Sequence, residues 1–161
     1  MISRDELLHF CDSALDQYAA VCRDLGDDLV NARLDDVPGS NSAFALVTHI
    51  GGVMARWGRT VNRGIVVPRD RDAEFRATGT VEEALALLGA GRAALHEDVA
   101  AAAPREAPAD PPADAAERDD PEVRTQGAVL LHVYEELAQH LGQLEVTRDV
   151  LLARRRAGEP A

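Results

Sequence analysis

Val129, Val133, Glu136, His140, Leu144, Thr147 and Leu151 succeed one another at steps of three and four, the spacing of one helix face held for about six turns. An apolar row that long has to be covered by other helices, so the chain is constrained to an α-helical packing before anything else is known. Two members of the row, Glu136 and His140, are ionisable. Groups of that kind on a buried face cost several kcal/mol unless they are paired or metal-bound. Their i,i+4 spacing sets carboxylate and imidazole one turn apart, where both reach a common point. One further nitrogen would complete a metal site.

The rest of the chain supplies partners for that row. Ser3 and Glu6 have capping-box spacing and precede Leu7, Phe10, Ala14, Tyr18, Val21 and Leu25, which predict a first helix of about twenty residues ending at Gly26. Asp35, Asp36, Pro38 and Gly39 mark a connection, and Asn41 or Ser42 caps a second helix marked by Leu46, Ile50, Val53, Met54, Trp57 and Val61. His49 lies beside that stripe. Gly64 to Gly79 has Pro68, a mixture of Arg and Asp, a lone Phe75 and no surviving period, and reads as a structured loop. Thr80 and Glu83 repeat the capping box ahead of Val81, Leu85, Leu88, Leu95 and Val99, and Pro104 stops that helix. Residues 104–121 are rich in Pro and Ala and read as a tether. The last helix is expected from about Glu122 to Arg155, with Arg154 to Arg156 favourably placed at its C-terminal end. With no strand pattern and no repeat, the expected architecture is all-α: four helices in a bundle with long connections, in one domain over residues 1–161.

Facing helices of a bundle are where metal sites are built. If the second helix faces the last, His49 joins Glu136 and His140 as a three-ligand set with an open fourth position, the layout of a catalytic zinc site. A surface ion pair is the plainer account of Glu136 with His140, but it would expose the whole apolar row. For His49 the plainer account is a core histidine bonded to a backbone carbonyl. His132, four residues before Glu136, is an alternative third ligand or a partner to the ligands. It ranks behind His49, because three ligands on successive turns of one helix diverge by about 6 Å per step. His9 and His96 have no partner at ligand spacing. Trp57 reads as core, and Phe75 as plugging a bundle end or lining a pocket mouth. Arg63, Arg69, Arg71 and Arg76 form either a solvated face balanced by Asp70, Asp72 and Glu74 or a place for an anionic substrate group.

Charge and cysteine content exclude several classes. A net charge of −11 and a pI near 4.8 argue against nucleic-acid binding. No window approaches a membrane span, and no apolar leader follows the N-terminal Met. Cys11 and Cys22 on one helix stand about 16 Å apart, beyond disulfide reach, so reduced thiols and a cytoplasmic location are expected. No Gly-x-Ser-x-Gly, Gly-rich phosphate loop or Cys–His motif offers another active site.

Three stretches carry a resemblance: Leu-Val-Thr-His-Ile-Gly-Gly-Val-Met-Ala-Arg-Trp around His49, Asp-Ala-Glu-Phe followed by Thr-Val-Glu-Glu-Ala before the third helix, and Glu-Glu-Leu-Ala-Gln-His-Leu-Gly-Gln-Leu-Glu-Val-Thr-Arg-Asp around His140. Over almost its whole length the chain resembles the DinB/YfiT-like superfamily, in the actinobacterial branch related to mycothiol-dependent maleylpyruvate isomerases and bacillithiol S-transferases. The resemblance implies an up-down-down-up four-helix bundle, often a homodimer, holding a divalent metal, commonly zinc or nickel. Its ligands match His49 on the second helix and His140 on the last. The third position, histidine in many members, is glutamate in the mycothiol-dependent isomerases, as Glu136 is here. A further histidine of some members is replaced by Gln143. The implied activity is metal-dependent transfer or isomerisation using a small-molecule thiol, mycothiol, and an electrophilic substrate. The lysine-free, Ala- and Arg-rich composition suits that branch. A metal-dependent hydrolase and a non-catalytic metal-binding or dimerisation bundle are the alternatives.

Overall fold

The computed structural model describes residues 2–114 and 120–159. Four long helices form it: α1 (Arg4–Leu29), α2 (Ala43–Met54), α4 (Val81–Ala101) and α5 (Gln126–Ala157), with a one-turn α3 (Arg71–Glu74) between α2 and α4. No strand occurs among the described residues, and no helix is long and apolar enough to cross a membrane. The fold is an all-α bundle, as the periodicity predicts.

Local chemistry sets the helix starts. Ser3 with Glu6 and Thr80 with Glu83 form complete capping boxes, satisfying amide groups that have no partner inside a helix. Ser42 and Thr125 cap α2 and α5 through the amides of Ala45 and Ala128. Gly158, at φ 73°, closes α5 in the left-handed conformation.

Helix α1 packs on α4 and α5, and α2 packs on the same two. The core runs through Leu15, Tyr18, Leu25, Leu46, Ile50, Leu95, Leu137, Leu144 and Leu151, all 1% exposed or less. After Met54, α2 continues as a π-helix over Ala55–Val61. The wider turn carries Trp57 to the ring of His132 on α5, with centroids 4.7 Å apart. Trp57 is therefore half-buried against the site end of α5.

Several expectations change on contact with the structure. Gly26 interrupts α1 at φ 66° without ending it, and helical hydrogen bonding resumes through Val30 N to Gly26 O. Phe10, read as part of the buried row of α1, is 53% exposed, at the edge of the packing with α5, where the Tyr134 ring lies with its centroid 5.9 Å away. The start of α5 falls at Gln126, after a 3₁₀ turn over Pro121–Val123. The segment read as a tether is tied down over its described beginning: Asp110 N donates to Val61 O, and Gln126 and Gly127 donate to Glu106 and Pro104 carbonyls. Residues 115–119 of that segment lie outside the described residues. Asp98, an unremarkable position in the sequence, is a fully buried carboxylate held by Arg63 Nη1 at 2.6 Å.

Candidate metal centre

Near the middle of the bundle, α2 and α5 bring together the residues singled out by the sequence. One ligand atom each from His49, Glu136 and His140 can be chosen so that all lie within 4.8 Å of one another. The His49 and His140 rings meet edge to face, centroids 4.8 Å apart. His49 is buried at 2% exposure, whereas the Glu136 and His140 side chains keep 27% and 23%. The group is thus closed on the α2 side and open along α5.

Each histidine has one nitrogen committed. His49 Nδ1 lies 2.9 Å from Glu74 Oε2, and His140 Nδ1 lies 3.2 Å from Gln143 Oε1. Each Nδ1 thus faces a polar partner, a carboxylate for His49 and an amide for His140, and each Nε2 is left to face the shared group. That is the arrangement of metal-ligating histidines, whose outer nitrogen donates to a carboxylate or carbonyl. The third donor also fits. Glu136 Oε2 stands 3.3 Å from His140 Nε2, close to the edge of a tetrahedron with bonds of about 2.0–2.1 Å. Two imidazoles and one carboxylate suit a divalent cation such as zinc.

The electrostatics couple the three residues to one another. Burial lowers the pKa of His49, with the like charge of His140 adding to it and the Glu74 hydrogen bond opposing. Glu136 is held below the usual carboxylate range chiefly by His140, and His140 is raised chiefly by Glu136. Each group favours the charged form of the other, and a cation bound between them would take the place of that pairing.

His132 stands beside this group rather than within it: its Nε2 is 3.5 Å from Glu136 Oε1, the outer side of the carboxylate. Its Nδ1 faces Glu122 and Glu135 at 3.2 and 3.4 Å. His9 and His96 are exposed, and His96 pairs with Asp12 at 3.0 Å. Of the arginines, Arg63 is bound to Asp98 and Arg69 to Glu74, while Arg71 lies over the Phe75 ring, 5.2 Å from its centroid. Phe75 in turn stacks on His49 at 4.4 Å, so the lone aromatic of the connection forms a wall of the site.

Glu74 is the residue that sequence reasoning passed over. The sequence offers it as a countercharge to the arginines and as part of the Asp-Ala-Glu-Phe stretch, with no role at the site, yet it is 7% exposed and touches His49 directly. The available signal was its place beside Phe75, the single aromatic in an otherwise polar stretch.

No curated protein and no solved structure matches the chain. The family model described as mycothiol-S-transferase matches residues 6–152 of the 161, a span that begins in the first turn of α1, takes in both helices of the His49, Glu136 and His140 group, and ends in α5. With nearly its full length matched, the chain belongs to the mycothiol S-transferase family.

Proposed function

We propose that this protein is a divalent-metal-dependent enzyme that transfers mycothiol to a small electrophilic substrate, its metal held by Nε2 of His49, a carboxylate oxygen of Glu136 and Nε2 of His140. The convergence of those three donors in a chain of this family carries the reading. Bound there with a coordination position free, the cation supplies the deprotonation of a coordinated thiol at neutral pH. Zinc is the preferred occupant, with nickel second.

The chain's own residues frame that chemistry. Glu136 offsets one of the cation's two charges, and burial keeps His49 neutral and able to ligate. The half-exposed side of Glu136 and His140 is where a thiol enters. The protein's own thiols do not compete, since Cys11 and Cys22 are buried. We take residues 1–161 as one domain and place the protein in the reducing cytoplasm. A homodimer is proposed through the outer face of α1 and α5, where Phe10 and Leu131 are 53% and 48% exposed; sedimentation at micromolar concentration tests it.

Calorimetric titration of zinc-loaded and metal-stripped protein with mycothiol decides the main reading. Binding to the loaded form alone is expected. Equal affinity for both forms, or binding to neither, removes it.

A further inference from the structure

We propose that Glu74 and Arg69 are positioning residues for the metal: Glu74 fixes the tautomer and ring orientation of His49 so that Nε2 faces Glu136 and His140, and Arg69 fixes Glu74. The proposal rests on the metal centre described above and adds two residues, on a different element, that the centre depends on.

Four observations converge on Glu74. First, its Oε2 lies 2.9 Å from His49 Nδ1. A carboxylate paired with a guanidinium only accepts, and at 2.9 Å it is far closer to Nδ1 than the Arg69 Nη2 donor at 3.5 Å, so the hydrogen of a neutral His49 sits on Nδ1 and its lone pair on Nε2. A half-turn of the ring would set a carbon against that carboxylate and leave a buried charge without its hydrogen bond. Second, Arg69 grips the same carboxylate as a fork, Nε to Oε1 at 2.7 Å and Nη2 to Oε2 at 2.9 Å. The planar guanidinium fits the two oxygens in one geometry, which a lysine would not reproduce. The Glu74 carboxylate is thereby paired, oxygen by oxygen, with a permanent cation.

Third, the backbone on both sides is shaped for this contact. Asp70 caps α3 by accepting from Ala73 N at 2.9 Å, and that single turn places Glu74 inward while Asp72 and Ala73 stay exposed. Across from it α2 has Gly52, where any Cβ would overlap Glu74 Oε1. Fourth, the ring it orients is boxed in by Phe75 at 4.4 Å on one side and His140 at 4.8 Å on the other.

Burying a carboxylate is costly unless its partners are excellent, and the pinning of the connection is already supplied elsewhere. Asn31 exchanges two hydrogen bonds with Gly79, at 2.8 and 3.0 Å, and Arg33 donates to the Phe75 carbonyl. What those bonds leave undone is the aiming of His49. The connection between α2 and α4, which carries no metal ligand, therefore sets how well the metal is held.

The test uses the full chain stripped of metal. Wild type, Glu74→Gln and Arg69→Gln are titrated with Zn²⁺ against a chromophoric chelator, and the His49 ring nitrogens are read in metal-free protein by long-range proton–nitrogen correlation. We expect the Nδ1-protonated tautomer in wild type, a tautomer mixture in Glu74→Gln, and a Zn²⁺ affinity about 10–100-fold weaker in that variant, with a smaller loss in Arg69→Gln. Unchanged Zn²⁺ affinity in Glu74→Gln, with only a lowered melting temperature of the metal-free protein, makes the network merely structural and overturns the proposal. If Glu74→Gln does not fold, wild type alone decides: a His49 protonated on Nε2 overturns it, and one protonated on Nδ1 sustains it. Wild type that binds no Zn²⁺ removes the metal centre itself, an outcome separate from the failure of the positioning alone.

Discussion

The Tyr18 hydroxyl donates a buried 3.0 Å hydrogen bond to the carbonyl of Leu137, tying the middle of α1 to α5 one residue beyond Glu136. Burial and the nearby Glu136 raise the Tyr18 pKa, so the hydroxyl stays a donor throughout the working range. Tyr18→Phe removes the bond and keeps the ring. A net loss of about 1 kcal/mol is expected, lowering the melting temperature by roughly 2–4 °C for a domain of this size. Zinc stoichiometry should not change, because Leu15, Leu137 and Leu144 still fix the register of the helices. Thermal unfolding and elemental analysis of one preparation check both.

Removing a ligand should separate binding from folding. His49→Ala and His140→Ala are each expected to lose most bound metal while circular dichroism stays helical, since the apolar core rather than an ion holds the bundle together. Glu136→Gln should weaken zinc without abolishing it, because a neutral amide is a poorer ligand than a carboxylate. His132→Ala should retain stoichiometric metal. Elemental analysis ranks the four, and a His132 variant more damaging than the His49 variant would move the third ligand to α5.

The contrast between Glu136 and Glu74 shows what the sequence could convey. Glu136 and His140 interrupt an apolar row at helical spacing, so their phase announced that they face the interior. His49 could be recognised in the same way from the stripe of α2. Glu74 has no such phase: α3 lasts one turn, too short for a period, and its charge matched the Arg and Asp around it. Phe10 misled for the opposite reason, an apolar residue in phase with its row but at the edge of the α1–α5 packing, where it stays 53% exposed. The docking of residues 104–110 was unreadable because it depends largely on backbone groups, such as Asp110 N to Val61 O at 2.9 Å and the Ala107 carbonyl that accepts from Gln126 Nε2, and backbone groups leave no mark on side-chain pattern.

The two cysteines should behave as core residues and not as nucleophiles. Burial pushes the Cys11 thiol up to about 12 and the Cys22 thiol up to about 11, so almost no thiolate exists at pH 8. Both should be silent to a disulfide reagent in native protein and react at once in denaturant. The linkage has a definite sign. A thiol whose folded pKa is raised contributes stability that is fully present below its unfolded value and lost as pH rises toward the folded one. Denaturant midpoints should therefore decline from about pH 9 toward 11–12, and Cys22→Ala should flatten that decline. Rapid native labelling at pH 8 would contradict this account of the core.

Gly52→Ala perturbs the site through space that the chain leaves open. Its added methyl would collide with the Glu74 carboxylate and approach Arg69 Nε to 3.0 Å, so Glu74 must leave Nδ1 of His49 or α2 must shift away from α3. Rotation of the side chain is the smaller movement, since α2 is locked on its other face by Leu46, Ile50 and Val53, each 2% exposed or less. The variant should therefore fold, gain a little helix propensity at position 52, and expose a carboxylate that wild type buries. Its zinc affinity should fall into the range of Glu74→Gln, and the double variant should be no worse than either single one, because both remove the same contact. Chelator competition on the three proteins gives the answer; additive losses would mean that Gly52 matters for the packing of α2 and not for the approach of Glu74.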